Sequence, residues 1–353
     1  MSSNGNYLAD DTQSADARAD ALSDWLTAEL GTRDYALAPA SEDASFRRYF
    51  RVTLARPYRP SDDALTLIVM DAPPPREHCA PFVRIAALLA DAGVHAPSVL
   101  AQDLDRGFLL LTDLGTTTYL QALHDANADE LFSDALDAIV RWQLATCEGV
   151  LPPYDEKLLR RELELFPEWY VGRHLGQPLT EGERQSLSTL FDRIIAANLA
   201  QSTVFVHRDF MPRNLMQTIP NPGVLDFQDA VIGPVSYDVA CLFKDAFISW
   251  PEERVLDWTI RYWERARHAR LPVPTDFSEF WRNVEWMGLQ RHLKVLGIFA
   301  RIRHRDGKSG YVEDTARFIA YVRPVAQRYG GLAPLAKLID RLETRTSSVG
   351  YTF

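Results

Sequence analysis

Residues 204–239 constrain this chain more than any other stretch. They read VFVHRDFMPRNLM, then a short turn, then GVLDFQDAVIGPVSYDV. Val204 to Val206 is a β-branched and aromatic run, predicted to be a buried strand. It delivers His207, Arg208 and Asp209 into a loop, and Asn214 follows Asp209 at a spacing of five. A second apolar pair, Val224-Leu225, delivers Asp226. Thr218 to Gly223 carries two prolines, an asparagine and a glycine, so the two runs are read as a hairpin. Two carboxylates and one carboxamide then meet at its open end.

That set suits phosphoryl transfer. The reaction needs an acceptor or orienter for the attacking hydroxyl proton and metal ions against the phosphates, with little covalent help from protein. Magnesium prefers oxygen ligands and takes only one or two from protein. Asp226 and Asn214 can supply them, and Asp209 can accept the hydroxyl proton. The pattern H-x-D-x-x-x-x-N, followed by a strand ending in D-F, matches a known catalytic-loop signature. A lone His-x-Asp would read as a turn cap. The full set, each part after its own apolar run, favours chemistry.

At these residues the chain resembles the aminoglycoside phosphotransferase family of small-molecule kinases. HRDFMPRN and LDFQDAVIGPVSYDVACL carry the likeness to the superfamily. SEDASFRRYFRV, LIVMDAPP, QRHLKVLGIFARI and HRDGKSGY are similar to a narrower group, the bacterial anomeric kinases of N-acetylmuramic acid and N-acetylglucosamine that serve cell-wall peptidoglycan recycling. The resemblance implies an α+β, bilobal, protein-kinase-like fold, with a small antiparallel sheet lobe and a large, mainly helical lobe. It implies ATP and Mg2+ as cofactors. It assigns nucleotide contacts to Ser45, Phe46, Arg47, Arg48, Val69, Thr112, Asp113, Leu114 and Met216. Substrate contacts fall to Asp209, Arg213, Asp229, Trp169, Arg291 and Lys294, and metal ligation to Asn214 and Asp226. An antibiotic or choline-type kinase, or a nucleotide-binding protein without turnover, is the alternative.

The small lobe departs from the pattern. SEDASFRR lies where the phosphate-covering loop is expected, yet it has no glycine to let amides approach phosphates. An ordinary polar turn would look the same. The strand Leu65 to Met70 is followed by Asp71 where a phosphate-binding lysine is expected. Lys157 is the first lysine in the chain. Arg47 and Arg48 are the substitutes to consider, since a guanidinium can grip phosphate with two donors.

A chain of 353 residues, 46% hydrophobic and 24% charged, holds one large or two medium domains with real cores. Its expected division is a disordered segment over 1–18, a nucleotide-binding lobe over 19–113 and a catalytic and substrate-binding lobe over 114–353. Five strands are expected at Tyr35–Ala38, Tyr49–Leu54, Leu65–Met70, Val99–Gln102 and Phe108–Thr112. Helices are expected over Ala19–Leu30, Pro81–Ala92, Glu130–Cys147, Glu183–Leu199 and Phe277–Ala300. Pro167 is expected to interrupt a further helix that begins at Leu158. Cys79, Cys147 and Cys241 are widely spaced and read as small buried hydrophobes of a reducing compartment. The N-terminus lacks the basic and apolar regions of a signal peptide and no apolar run reaches membrane-spanning length, so a cytoplasmic monomer is expected, with no membrane partner.

The net charge of −10 is uneven: from Glu252 to Phe353 there are 18 Lys and Arg against 12 Asp and Glu, a net of +6, which leaves −16 for residues 1–251. The basic part has no glycine-rich or interleaved aromatic nucleic-acid motif, so no nucleic-acid partner is expected. A neutral or anionic small-molecule amino-sugar acceptor suits it better than a polycation. Arg291 and Lys294, three apart on one helix face, are expected at a pocket rim as partly exposed cations. Trp169 and Tyr170 could stack on a sugar ring or sit in the core. Asp238 could support the catalytic loop, as the resemblance implies, or cap the next helix.

Overall fold

The computed structural model describes residues 7–41, 46–59, 64–74, 76–307 and 315–348. The chain divides into two compact units, residues 1–90 with 96–115 and residues 91–95 with 116–353. In the first, five strands form one antiparallel sheet in the order β1-β2-β3-β5-β4. They are β1 Tyr35–Ser41, β2 Arg48–Leu54, β3 Thr66–Asp71, β4 Val99–Asp103 and β5 Phe108–Thr112. All five expected strands are present, because each is an apolar run bounded by turn residues.

Side chains alternate along a strand, so Val52 and Leu54, Leu67 and Val69, and Phe108 and Leu110 share one face. Helix α1, Tyr7–Leu30, packs against it through Leu22, Trp25 and Leu26. Those three sit at helical spacing, and each side chain so buried contributes about 1.5–3 kcal/mol. Helix α2, Ala80–Asp91, buries Phe82, Ile85, Ala86 and Leu89. At the tip of the β4–β5 turn, Gly107 has φ +74° and any Cβ there would lie 2.0 Å from the Ala72 carbonyl oxygen.

Helix α1 starts twelve residues before the expected Ala19, inside the segment read as disordered. Residues 7–18 contain neither proline nor glycine, so a helix held by its packed half can propagate through them. Arg18 is tied down: its Nε donates to Asp71 Oδ1 at 2.7 Å and its Nη2 to the Arg106 carbonyl at 2.8 Å. Asp71 is fully buried and also receives Arg48 Nε at 2.9 Å. The position expected to hold a phosphate-binding lysine therefore holds an anion that joins α1, β2 and β3. Asp71→Asn is expected to lower stability by about 2–3 kcal/mol, below the full cost of breaking a buried pair because Arg48 keeps access to water. A urea denaturation midpoint measures it. An unchanged midpoint would mean that the three-way contact contributes nothing.

The second unit is mainly helical. Its helices are α3 Tyr119–Ala122, α4 Ala128–Leu144, α5 Glu156–Leu163, α6 Glu181–Leu199, α7 Tyr237–Phe243, α8 Glu252–His268, α9 Phe277–Asp306, α10 Thr315–Arg328 and α11 Ala333–Ser348. Pro167 interrupts as expected, and the chain continues as a π-helix over Phe166–His174. Helix α9 packs against α5, α6, α7, α8, α10 and that π-helix. Every residue from Val284 to Gly297 is buried. A Cβ on Gly297 would lie 2.4 Å from the Leu165 carbonyl carbon, so glycine lets the two backbones touch.

The pairing of the signature stretch differs from expectation. Strand β6, Thr203–Val206, pairs antiparallel with β9, Val231–Pro234. The turn at Thr218 to Gly223 instead closes a minimal hairpin between β7, Leu215–Met216, and β8, Gly223–Val224. Asp226 follows β8 as foreseen, but the run before His207 has a later partner. Among the cysteines, Cys79 and Cys241 are buried as expected, whereas Cys147 is exposed past the end of α4.

Candidate active site

Strand β6 ends at Val206 and the loop begins with His207, which is buried. Burial pushes the imidazole down to about 4, so it is neutral, and its Nδ1 accepts the Asp209 N–H at 3.3 Å. Asp238, in the first turn of α7, accepts the N–H of His207 at 2.8 Å and of Arg208 at 3.1 Å. Helix α7 has Ser236 at its N-cap. Asp238 therefore supports the loop rather than capping its helix. Burial pushes its carboxyl up to about 7 against those two hydrogen bonds.

Arg208 has φ +78°, a conformation that a bulky residue adopts at a cost. Its guanidinium explains how the cost is offset: Nη2 donates to Glu162 Oε1 at 2.7 Å and Nη1 to the Asp229 carbonyl at 3.3 Å. The turn sends Asp209 outward, a third of its side chain exposed. Burial raises the Asp209 carboxyl, but Lys294, Arg291 and Arg208 together outweigh it and hold the group below its ordinary value.

Asn214 closes the loop in a short 3-10 turn, Pro212–Asn214. Its Nδ2 donates to the Asp209 carbonyl at 3.0 Å and to Asp226 Oδ2 at 3.3 Å. With Nδ2 so used, the carboxamide oxygen is left as a donor for a metal. Asp226 is exposed, with φ +62°, and Gln228 Nε2 donates to its Oδ1 at 2.7 Å. Among the described residues no three His, Cys, Asp or Glu side chains gather as a metal cage. One carboxylate and one amide oxygen fit magnesium, which keeps several waters and phosphate ligands.

Arg291 and Lys294 are not at a rim. Both are buried, Arg291 to 4% exposure, because α9 is enclosed on every side rather than exposed along one face. Lys294 Nζ lies 3.1 Å from Glu162 Oε1 and donates to the Tyr237 hydroxyl at 3.3 Å. Arg291 Nη1 is 3.9 Å from Asp209 Oδ1, and its Nη2 donates to Met211 Sδ at 3.6 Å. Glu162 is the hub: besides Arg208 and Lys294 it accepts Gln290 Nε2 at 3.0 Å and the Tyr154 hydroxyl. Burial pushes its carboxyl up, yet Lys294 and Arg208 bring it down to about 2.

The fold thus brings together Asp209, Asn214, Asp226, Arg291 and Lys294. It gives the other substrate expectations separate settings. Trp169 is half-buried on the π-helix with Arg173 over its ring at 4.4 Å, and Tyr170 is buried between Phe166 and His174. Arg213 lies over the Phe247 ring at 5.0 Å. The Asp229 side chain is exposed, and only its carbonyl reaches the loop. Met216 is buried in β7.

In the first unit, Ser45 lies outside the described residues. Phe46 is exposed under Arg76, Arg47 pairs with Glu77 at 3.1 Å, and Arg48 keeps 42% of its side chain exposed while pairing with Asp71. Val69 is buried in mid-sheet. Thr112 Oγ1 accepts the Ser98 N–H at 2.9 Å, and Asp113 binds Arg51 at 2.6 Å and the Gly115 N–H at 3.0 Å. Leu114 is buried beside it.

Sequence reasoning missed Glu162, Tyr154, Tyr237 and Gln290. A signal existed for Glu162: it lies three residues after Leu159 and four before Phe166, on the apolar stripe of this segment. A carboxylate there must be paired.

The antiparallel five-stranded unit, the helical unit and this catalytic loop define a kinase-like α+β phosphotransferase. The chain belongs to the phosphotransferase enzyme family, whose profile matches residues 36–273. It is 57% identical over 307 residues to the N-acetylmuramate/N-acetylglucosamine kinase of Pseudomonas aeruginosa, covering 87% of this chain and 88% of that one. To the Pseudomonas putida protein of the same name it is 53% identical over 338 residues, covering 93% and 97%. The solved choline kinase of Cryptosporidium parvum shares the fold at TM-score 0.59 and 12% identity, over 91% of this chain and 99% of that one.

Proposed function

We propose that this chain is an ATP-dependent kinase that phosphorylates the anomeric hydroxyl of N-acetylmuramic acid and N-acetylglucosamine, acting as a cytoplasmic monomer in peptidoglycan recycling. The observation that carries the reading is an Asp209–Asn214–Asp226 constellation in a chain 53–57% identical to two kinases of that name. Asp209, ionised and outward-facing, accepts the proton of the acceptor hydroxyl and orients its oxygen. Asp226 and Asn214 would hold Mg2+, which supplies charge neutralisation at the phosphates of ATP. Ser45, Phe46, Arg47, Arg48, Val69, Thr112, Asp113, Leu114 and Met216 remain the proposed nucleotide contacts, with Arg47 and Arg48 as the cations that would serve in place of a phosphate-binding lysine. Arg213, Asp229 and Trp169 remain proposed acceptor contacts.

The choline-type or aminoglycoside alternative requires a cationic acceptor. Buried Arg291 and Lys294 and half-buried Arg208 lie around Asp209 and disfavour one. The test is ADP release coupled to NADH oxidation, with N-acetylmuramic acid, N-acetylglucosamine, glucosamine, choline and kanamycin, with and without magnesium. Turnover with the first two, lost without magnesium and in Asp226→Ala, is expected. Turnover with choline or kanamycin alone would overturn the acceptor, and no ADP release with any compound would favour a binding protein.

A further inference from the structure

Arg291 is a buried guanidinium with too few partners. Five N–H donors lead from a side chain at 4% exposure, yet its described contacts are a thioether at 3.6 Å and a carboxylate oxygen at 3.9 Å, beyond hydrogen-bond reach. Charged donors left unmet on a largely buried side chain are costly. Helix α9 is enclosed along its middle and braced at the Gly297–Leu165 contact, which leaves the side chain little solvent.

Cations gather around it. Arg208, Arg291 and Lys294 are gathered about Glu162 and Asp209, three cations against two anions. The other carboxyls nearby, Asp238 and Asp245, are both pushed upward by burial. A buried guanidinium with donors to spare, next to the group that takes the hydroxyl proton, is placed to receive an anion.

The position of Arg291 says which anion. Asp209 takes the proton of the hydroxyl that attacks phosphorus, so the attacking oxygen sits at hydrogen-bond distance from it, about 2.7 Å. A nitrogen 3.9 Å from that carboxylate is near enough to reach an equatorial oxygen of the phosphoryl group on the same attacking atom. The lactyl carboxylate of N-acetylmuramic acid is the other anion at hand, but N-acetylglucosamine has none. A guanidinium this buried and this short of partners is matched by a group present in every turnover.

We propose that Arg291 hydrogen-bonds the phosphoryl group as it passes from ATP to the sugar. The inference rests on the phosphotransfer reading above. In the step, the bond from phosphorus to the bridging oxygen of ADP breaks and its electrons stay on ADP. The bond from the sugar oxygen to phosphorus forms, and the hydroxyl proton goes to Asp209. Arg291 forms no covalent bond; it offsets charge on the three oxygens of the group in flight.

Arg291→Ala is expected to lower kcat by about 10²–10³-fold, equally for both sugars, with either KM within about threefold of the parent. A second measurement needs no turnover. The parent should melt higher with magnesium, ADP, aluminium fluoride and N-acetylglucosamine than with the same mixture lacking fluoride, because the fluoride complex mimics the transferring group. R291A should lose that increment while retaining the shift due to ADP. A KM increase confined to N-acetylmuramic acid would assign the residue to the lactyl carboxylate and overturn the proposal, as would an unchanged kcat or an intact fluoride increment. If R291A does not fold, Arg291→Lys keeps the charge without the two-donor geometry. It is then expected to lose about tenfold in kcat for both sugars, and full activity or a sugar-selective loss overturns the proposal. If the parent phosphorylates neither sugar, the acceptor reading falls, and melting with magnesium, ADP and aluminium fluoride alone still decides the role of Arg291.

Discussion

Asp209→Asn is expected to leave a folded protein that binds ATP and turns over about two to four orders of magnitude more slowly. Asparagine has the same shape, and the contacts that build the loop around Asp209 are main-chain ones: its N–H to His207 and its carbonyl from Asn214. What is lost is an anion that can accept a proton. Lys294, Arg291 and Arg208 hold the carboxyl below its ordinary value, so it is ionised at neutral pH. The acid limb that Asp209 gives to the parent's kcat/KM should therefore lie below that of an ordinary carboxylate. Arg291→Ala, by removing one of those cations, should move that limb upward. Steady-state rates from pH 4.5 to 8 measure both. A variant within about tenfold of the parent would remove Asp209 from the proton-accepting role.

Glu162→Gln should have the largest effect on stability, a loss of about 3–5 kcal/mol, because it leaves the buried Lys294 and the half-buried Arg208 with no anion between them. That loss is a large part of the whole stability of a typical domain. The sign of its pH dependence follows from the direction of the shift. The folded carboxyl titrates at about 2 against an ordinary 4.5, so its contribution is present above pH 4.5 and is lost as pH falls toward 2. Urea denaturation at pH 7 and pH 3.5 separates the two proteins: their difference should be largest at pH 7 and shrink at pH 3.5. Equal midpoints at pH 7 would mean that the cluster is held by its surroundings and not by Glu162. The helix stripe containing Glu162 made this residue visible in principle, yet nothing local in LLRRELELF names partners 46 and 132 positions away.

The same division runs through the protein. Apolar runs bounded by turn residues located all five strands of the first unit, since a strand's burial pattern is written in its own period of two. The spacing of Asp209, Asn214 and Asp226, each behind a short apolar run, located the catalytic loop. Proline at 167 marked the break in the helix because it lacks an N–H to give.

Pairing and enclosure were decided elsewhere. The run before His207 could pair with either later strand, and backbone hydrogen bonds carry no residue identity, so only the assembled chain chose Val231–Pro234. Asp238 could cap its own helix or hold a loop thirty residues earlier, and the loop's two N–H groups decided it. Arg291 and Lys294 share a face by spacing alone, but whether that face meets water depends on what surrounds α9. Period and spacing tell which residues of one element face the same way. Which element lies opposite, and hence whether a charge is solvated or must find a partner, is a property of the packed chain.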